Sequence, residues 1–390
     1  MFYELAASTW GPEEHAAIQA VVTEGRFTMG PKVAAFEDAF ARYHGQRYAV
    51  MVNSGSSANL IAVAALFYKK DRPLQRGDEV IVPAISWATT YHPLQQYGLR
   101  LKILDVELNT LNVDASRLAA AVGPRTRAIM GVSILGNPAA LDVMRRFADE
   151  RGLYFIEDNC ESMDAELAGR KAGTFGHIAT FSSFFSHHIS TMEGGMLVTD
   201  DRELHELARS LRAHGWVRDL PADSVIYDKR ADDFYEAYRF ILPGYNVRPL
   251  ELSGAIGIEQ LKKLPAMTEA RRRNWALFRR LFGNDDRFII QRENGRSSAF
   301  SFTLLPSPAL GVPRERILGA LTHADIGYRI ITGGCITRHD VIRHYDYETD
   351  GDLPNANYVH DHGFFVGNHP VDLTAQIERL HAVLDRAALR

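Results

Sequence analysis

Tyr48-Ala49-Val50-Met51-Val52-Asn53-Ser54-Gly55-Ser56-Ser57-Ala58 is the stretch on which the fold turns. Residues 48–52 are a short apolar run of strand type, and residues 58–68 read as an apolar helix. Between them lies a Ser/Gly turn. A strand that passes through such a turn into a helix aims free backbone N–H groups and the positive helix end at one spot. Gly55, Ser56 and Ser57 are therefore a candidate phosphate cradle, with two hydroxyls to add. The same residues also read as an ordinary helix start with a serine cap.

Outward from this unit the pattern repeats. In 33–43, Phe36, Ala39, Phe40 and Tyr43 recur at helical spacing and Gly45 follows as a stop. Further strands are expected at 79–82, 101–105, 128–134, 154–157, 179–182 and 196–199, with helical patterns such as 142–150 between them. Apolar strands alternating with helices imply a three-layer α/β domain around a mostly parallel, buried sheet. The rhythm changes near Pro243-Gly244-Tyr245. An Arg-rich helix (267–282), a strand (299–305), a helix (314–324) and a final helix (373–389) suggest a smaller α+β domain. The expected division is a large domain over 1–250 and a small one over 251–390.

Composition bounds the function. The chain has 390 residues, 46% hydrophobic and 24% charged, which is globular rather than disordered. A net charge of −4 argues against a nucleic-acid partner. Cys160 and Cys335 are the only cysteines, too few for a disulfide framework, a four-cysteine zinc site or a cysteine-ligated iron–sulfur cluster. The longest apolar run, 62–68, stops at Lys69-Lys70, short of the roughly 18 residues of a membrane span. No signal peptide opens the chain, so a cytoplasmic protein with no membrane and no metal is expected.

Three further features carry chemistry. Asp158 follows the apolar strand Phe155-Ile156-Glu157, at the carboxyl edge where open α/β sheets place ligands. A carboxylate there can hold a cationic ring nitrogen, or it can cap the following turn. Trp87, just past the strand ending at Ile85, offers a flat face for stacking a heteroaromatic ring, or packs in the core. The third is Phe181-Ser182-Ser183-Phe184-Phe185-Ser186-His187-His188, which leads to Glu193-Gly194-Gly195.

This last segment resembles the DegT/DnrJ/EryC1/StrS sugar aminotransferases, fold-type-I (aspartate aminotransferase-like) pyridoxal-phosphate enzymes that act on nucleotide-linked keto-sugars. In that family a lysine six residues before Glu-Gly-Gly forms a Schiff base with the cofactor. Here that position is His187, and imidazole has no primary amine. The chain has eight lysines, none between Lys171 and Lys229. The resemblance implies that the 54–57 turn and Ser182 bind the cofactor phosphate. It implies that Trp87 stacks on the ring, Asp158 meets the pyridine nitrogen and Glu161 lies near the ring oxygen. Gly244-Tyr245-Asn246 would reach across a homodimer interface to the phosphate. Arg248 is a candidate for the donor's carboxylate, His188 and His214 for substrate contacts, and Arg329 for the nucleotide.

With histidine at the lysine position, the chain is similar to the branch that removes the C3 hydroxyl of GDP-4-keto-6-deoxy-D-mannose. That branch leads to colitose, a lipopolysaccharide O-antigen sugar. The likeness includes His214-Gly215-Trp216, residues 242–249 and Phe365-Val366-Gly367-Asn368-His369. The chemistry is consistent with it. A cofactor without a lysine tether can take an amino group from L-glutamate, become pyridoxamine 5'-phosphate and condense with a sugar ketone at C4. His187 would then be the catalytic base. Three other readings compete. A 4-keto-sugar aminotransferase needs the missing lysine. A CDP-sugar 3-dehydrase needs an iron–sulfur cluster and a reductase partner, which two cysteines cannot support. A sensor that lost its lysine has little reason to hold Asp158, Trp87, Ser182, Asn246 and a histidine together.

Overall fold

A computed structural model describes residues 2–388. Helices α1 (Pro12–Glu24) and α2 (Pro31–His44) precede β1 (Tyr48–Val52), and the turn after β1 opens α3 (Gly55–Phe67). There follow β2 (Glu79–Pro83), α4 (Ala88–Gln96), β3 (Arg100–Leu104), β4 (Thr126–Val132) and α5 (Leu141–Arg151). Next come β5 (Tyr154–Asp158), β6 (Ile178–Ser182), β7 (Gly195–Thr199) and α6 (Arg202–Leu211). The C-terminal part contains α7 (Glu251–Phe282), β8 (Phe288–Ile289), β9 (Ser301–Pro306), α8 (Arg314–His323) and β10 (Tyr328–Arg329). It ends with β11 (Tyr347–Thr349), α9 (Pro354–His362), β12 (Phe364–Gly367) and α10 (Thr374–Ala388). The end expected for the last helix, Leu389, lies outside the described residues.

The large sheet runs β1-β7-β6-β5-β4-β2-β3-β11. All neighbours are parallel except β7, which is antiparallel to β1 and β6. Every residue of β2, β5, β6 and β7 is buried, which is why these strands read as continuous apolar runs. Alternate residues still part company. Val50, Val80 and Ile156 join the core that includes Ile61 of α3 and Leu207 of α6. Met51 packs with Phe36 and Phe40 of α2 and Leu264 of α7, and Phe155 with Met144 of α5. The small antiparallel sheet, β8-β9-β12-β10, carries Phe302 and Phe364. These rings pack with Trp275, Phe278 and Phe282 of α7 and with Leu380 of α10.

Two connections run against chain order. Tyr3 is buried in the small core and pairs with Ile326. β11 returns to the large sheet and lies parallel to β3. The helix expected from 267 begins sixteen residues earlier, at Glu251, and runs unbroken through Pro265. An internal proline costs about 3 kcal/mol. Burial of Leu261, Leu264 and Met267 against Val33, Phe36 and Phe40 offsets that cost.

This topology brings the carboxyl ends of β5 and β6, the loops after β1 and β2, and the start of the reversed strand β7 to one edge. The candidate residues of the large sheet cluster there.

Candidate active site

A cavity of about 480 Å³ opens at that edge. Gly55, Ser56, Trp87, Asp158, Glu161, Ser182, His187 and Arg329 all line it.

The 54–57 turn is both a cap and a cradle. Ser54 Oγ accepts the Ser57 N–H at 3.0 Å, and the Ser57 hydroxyl donates to Asn53 Oδ1 at 2.6 Å. Ser57 is thus spent on the turn itself. The N–H groups of Gly55 and Ser56, the first two of α3, have no acceptor within the helix. A Cβ on Gly55 would lie 2.7 Å from Ser182 Cβ and 3.0 Å from Cys160 Sγ. Glycine therefore lets the turn close on the end of β6, beside the Ser182 hydroxyl. β7 makes the same demand, since Gly195 pairs with Val52 and a side chain there would overlap the Ser54 carbonyl.

Asp158 is buried, and its carboxylate is fully supplied with donors. Oδ2 accepts from Asn59 Nδ2 at 2.9 Å and from the Thr90 hydroxyl at 2.8 Å, and Oδ1 from the Cys160 N–H at 3.1 Å. Asn59 is itself fixed by the Thr180 hydroxyl at 2.6 Å. Asp158 thus meets the following turn and faces the cavity as well, where it can hold a protonated ring nitrogen. Its neighbour Glu157 clamps a loop instead, accepting the N–H groups of Gly173, Phe175 and Gly176. Trp87 opens α4 and remains 58% exposed, so core packing is not its role.

The two adjacent histidines part. His187 Nδ1 sits 2.6 Å from the Cys160 carbonyl. A carbonyl can only accept, so Nδ1 carries the hydrogen and Nε2 keeps a lone pair. Burial lowers the pKa of this imidazole to about 4. The Cys160 carbonyl opposes the shift, the Arg271 charge reinforces it, and the Asp158 charge opposes it. His188 is buried behind, with Nε2 3.4 Å from the Ser298 carbonyl, and does not line the cavity. Burial also acts on Glu161, pushing its carboxyl up to about 7. The Leu135 N–H opposes this, and the Asp158 charge adds to it.

Asn246, His214 and Arg248 lie outside this cavity and beside one another. The His214 N–H donates to the Tyr245 carbonyl at 2.6 Å, Ala213 pairs with Asn246, and Arg248 Nε donates to Asn246 Oδ1 at 3.0 Å. Asn246 and His214 are exposed. The sequence reading missed the brace behind Asp158. Its one visible sign was Asn59, a lone amide within the apolar run of α3. It also missed Arg271, hidden in an Arg-rich stretch. Among the described residues no group of side chains is arranged to hold a metal, and no helix is long and apolar enough to cross a membrane.

A narrow cradle of backbone N–H groups, a braced buried carboxylate and an uncovered indole fit the phosphate, ring nitrogen and ring face of pyridoxal 5'-phosphate. Among the described residues no lysine lines the cavity. The chain belongs to the DegT/DnrJ/EryC1/StrS aminotransferase family, whose model matches residues 9–384. It is 48% identical over 386 residues to the GDP-4-keto-6-deoxy-D-mannose 3-dehydratase of Yersinia pseudotuberculosis, covering 98% of each chain. Solved structures of GDP-4-keto-6-deoxymannose-3-dehydratase superpose with a TM-score of 0.96 at 48% identity, over 98% of this chain and 100% of theirs. One is a histidine-to-asparagine variant with bound GDP-perosamine, the other holds a trapped PLP–glutamate geminal diamine.

Proposed function

We propose that this chain is a cytoplasmic dehydratase dependent on pyridoxal and pyridoxamine 5'-phosphate. It removes the C3 hydroxyl of GDP-4-keto-6-deoxy-D-mannose to give GDP-4-keto-3,6-dideoxy-D-mannose, with L-glutamate as amino donor. One observation carries the reading. Where the family places its lysine, His187 stands over the cavity with Nδ1 anchored and Nε2 free. Identity of 48% to a dehydratase over nearly the whole chain supports the substrate.

The cofactor, when bound, supplies an amino group that links to the sugar's C4 ketone and a ring that makes the adjoining C–H acidic. The chain's own groups do the rest. The Gly55 and Ser56 N–H groups and the Ser182 hydroxyl hold the phosphate, and Trp87 covers one ring face. Asp158, braced by its donors on the cavity wall, meets the ring nitrogen and favours its protonated form. His187 Nε2 takes the proton, and the bond to the Cys160 carbonyl fixes the ring's direction and tautomer. The resulting imidazolium gives a proton to the departing C3 oxygen. Glu161 faces the ring oxygen. With no lysine, nothing ties the cofactor covalently, so it is free to leave carrying the amino group.

The enzyme is a homodimer in this reading. His214, Asn246 and Arg248 form one group outside their own cavity, and their exposure suits them to a partner's phosphate and substrate.

The test supplies the protein with pyridoxal phosphate, L-glutamate and GDP-4-keto-6-deoxy-D-mannose, and follows the nucleotide sugar by mass. A nucleotide sugar lighter by one oxygen atom is expected, with 2-oxoglutarate and ammonia formed alongside, preceded by a shift from aldehyde-form to amine-form absorbance. An amino sugar as the main product, or no shift with glutamate, refutes the reading.

A further inference from the structure

The turn after β10 brings Thr332 to the cavity wall in an unusual conformation. Its φ is 50°, in the left-handed region that a β-branched residue rarely adopts. Such a conformation persists only where its surroundings fix it, and it collects at working sites. Here the side chain has a task. The Thr332 hydroxyl donates to Glu161 Oε2 at 3.3 Å, beside the Leu135 N–H at 3.1 Å. Both donors go to Oε2. When Glu161 is protonated, its hydrogen is therefore left to Oε1, the oxygen that remains to meet a partner in the cavity.

Two histidines outside the cavity hold this turn. His360 Nδ1, at the end of α9, accepts the Cys335 N–H at 3.2 Å. His339 Nε2 lies 2.6 Å from the Gly333 carbonyl, to which it donates. The two rings meet edge to face, 5.7 Å between centroids. The fit is close: Gly334 has φ 70°, and a Cβ there would lie 2.5 Å from His360 Nδ1. Accepting at Nδ1 requires the neutral imidazole with its hydrogen on Nε2. Burial favours that form by lowering the His360 pKa. The Arg338 charge adds to this, Asp361 opposes it, and His339 and Arg314 add to it. Beyond Cys335 the chain is pinned to the loop after β2, where Cys335 pairs with Ile85 and the Ile336 N–H donates to the Ala84 carbonyl at 3.0 Å.

We propose that His360 is a positioning residue that acts through Thr332: by accepting the Cys335 N–H it holds the 331–335 turn, so that Thr332 directs Glu161 toward the cofactor. This rests on the reading that the cavity takes pyridoxal phosphate with Glu161 beside its ring oxygen.

The test follows two signals of the loaded enzyme, the rate of the aldehyde-to-amine absorbance change with L-glutamate and the pH midpoint of the aldehyde-form absorbance without it. Thr332→Val, which removes only the hydroxyl, and His360→Ala should each slow the half-reaction roughly 5–10-fold, the effect of one hydrogen bond. Both should move the midpoint in the same direction. The double variant should be no slower than His360→Ala, because one residue acts through the other. His360→Asn, whose Oδ1 can replace Nδ1 as acceptor, should recover most of the rate and the wild-type midpoint. A histidine that only props the fold would lower the melting temperature without moving the midpoint. Additive effects in the double variant, an unmoved midpoint in His360→Ala, or a folded His360→Asn as slow as His360→Ala each overturns the assignment. Should His360→Ala not fold, Thr332→Val decides: wild-type behaviour there refutes the role. If the wild type binds no pyridoxal phosphate, both readings fail. If the half-reaction behaves as expected and the sugar keeps its C3 oxygen, the dehydratase reading fails and the role of His360 stands.

Discussion

Replacing Glu161 with glutamine separates the charge of that side chain from its shape. Its Oε2 accepts the Leu135 N–H at 3.1 Å and the Thr332 hydroxyl at 3.3 Å, and a glutamine oxygen can take both. What changes is titration. Burial raises the carboxyl from 4.5 to about 7 in the folded protein. The folded state therefore holds this proton more tightly than the unfolded chain. The stability so conferred is complete below about pH 4.5 and drains away as pH rises to about 7. At about 1.4 kcal/mol per pKa unit, ionising Glu161 costs the cofactor-free protein roughly 3 kcal/mol at pH 8 and about 1 kcal/mol at pH 5. Glutamine carries no such cost. Relative to wild type, Glu161→Gln should gain about 2 kcal/mol between these pH values. For a chain of 390 residues that is a Tm difference of roughly 3 °C. Calorimetric melts of both proteins without cofactor, across pH 5 to 8, read it directly. A Tm difference that stays constant with pH would refute the raised pKa, and one that shrinks would reverse its sign.

His187→Asn should keep cofactor binding and lose single-turnover water release by roughly 10²–10⁴-fold, while His188→Asn should lose far less. The opposite ranking would move the base to His188. Gly55→Ala should weaken pyridoxal phosphate by at least about tenfold and destabilise the apoprotein by about 1–3 kcal/mol, because its Cβ would press on Ser182. Cofactor absorbance titration and thermal melts check the two effects. Dimers of His187→Asn and Asn246→Ala, each inactive, should on subunit exchange recover about a quarter of wild-type turnover if one cavity draws on both chains. No recovery, with exchange verified, would place Asn246 outside the site.

Legibility in the sequence followed burial and locality. β1, β5 and β6 were visible to within a residue because fully buried strands are continuous apolar runs between turn residues. The α7 helix was half missed because Pro265 suppresses the local signal and packing against α2 restores the helix. β11 was invisible: its three residues, Tyr347–Thr349, are polar at two positions and depend on Leu101, Lys102 and Ile103 for pairing. At the site, turn glycines and strand-end residues could be read, since their chemistry follows from position on the sheet edge. Arg271 could not. Nothing within an arginine run distinguishes the one that turns inward without a partner.

Losing the lysine changes what the rest of the site must do. A covalent link both holds a cofactor and ferries its proton, and here the two tasks fall to different groups. On the proposed reading, holding passes to the cradle, Asp158 and Trp87, which would bind without a bond and so permit exchange. Proton transfer would pass to His187, an imidazole anchored through Nδ1 with only Nε2 left to act. One short loop coordinates the division. Asp158 would meet the ring nitrogen, the Cys160 carbonyl sets the direction of His187, and Glu161, two residues after Asn159, is a carboxyl whose pKa burial raises to about 7. Because Asp158 Oδ1 itself accepts the Cys160 N–H, the loop cannot shift one of these groups without disturbing the others. On the proposed reading, the direction of the base and the ring's counter-charge are thus set by the same short segment, residues 158–161, whose Cys160 carbonyl anchors His187.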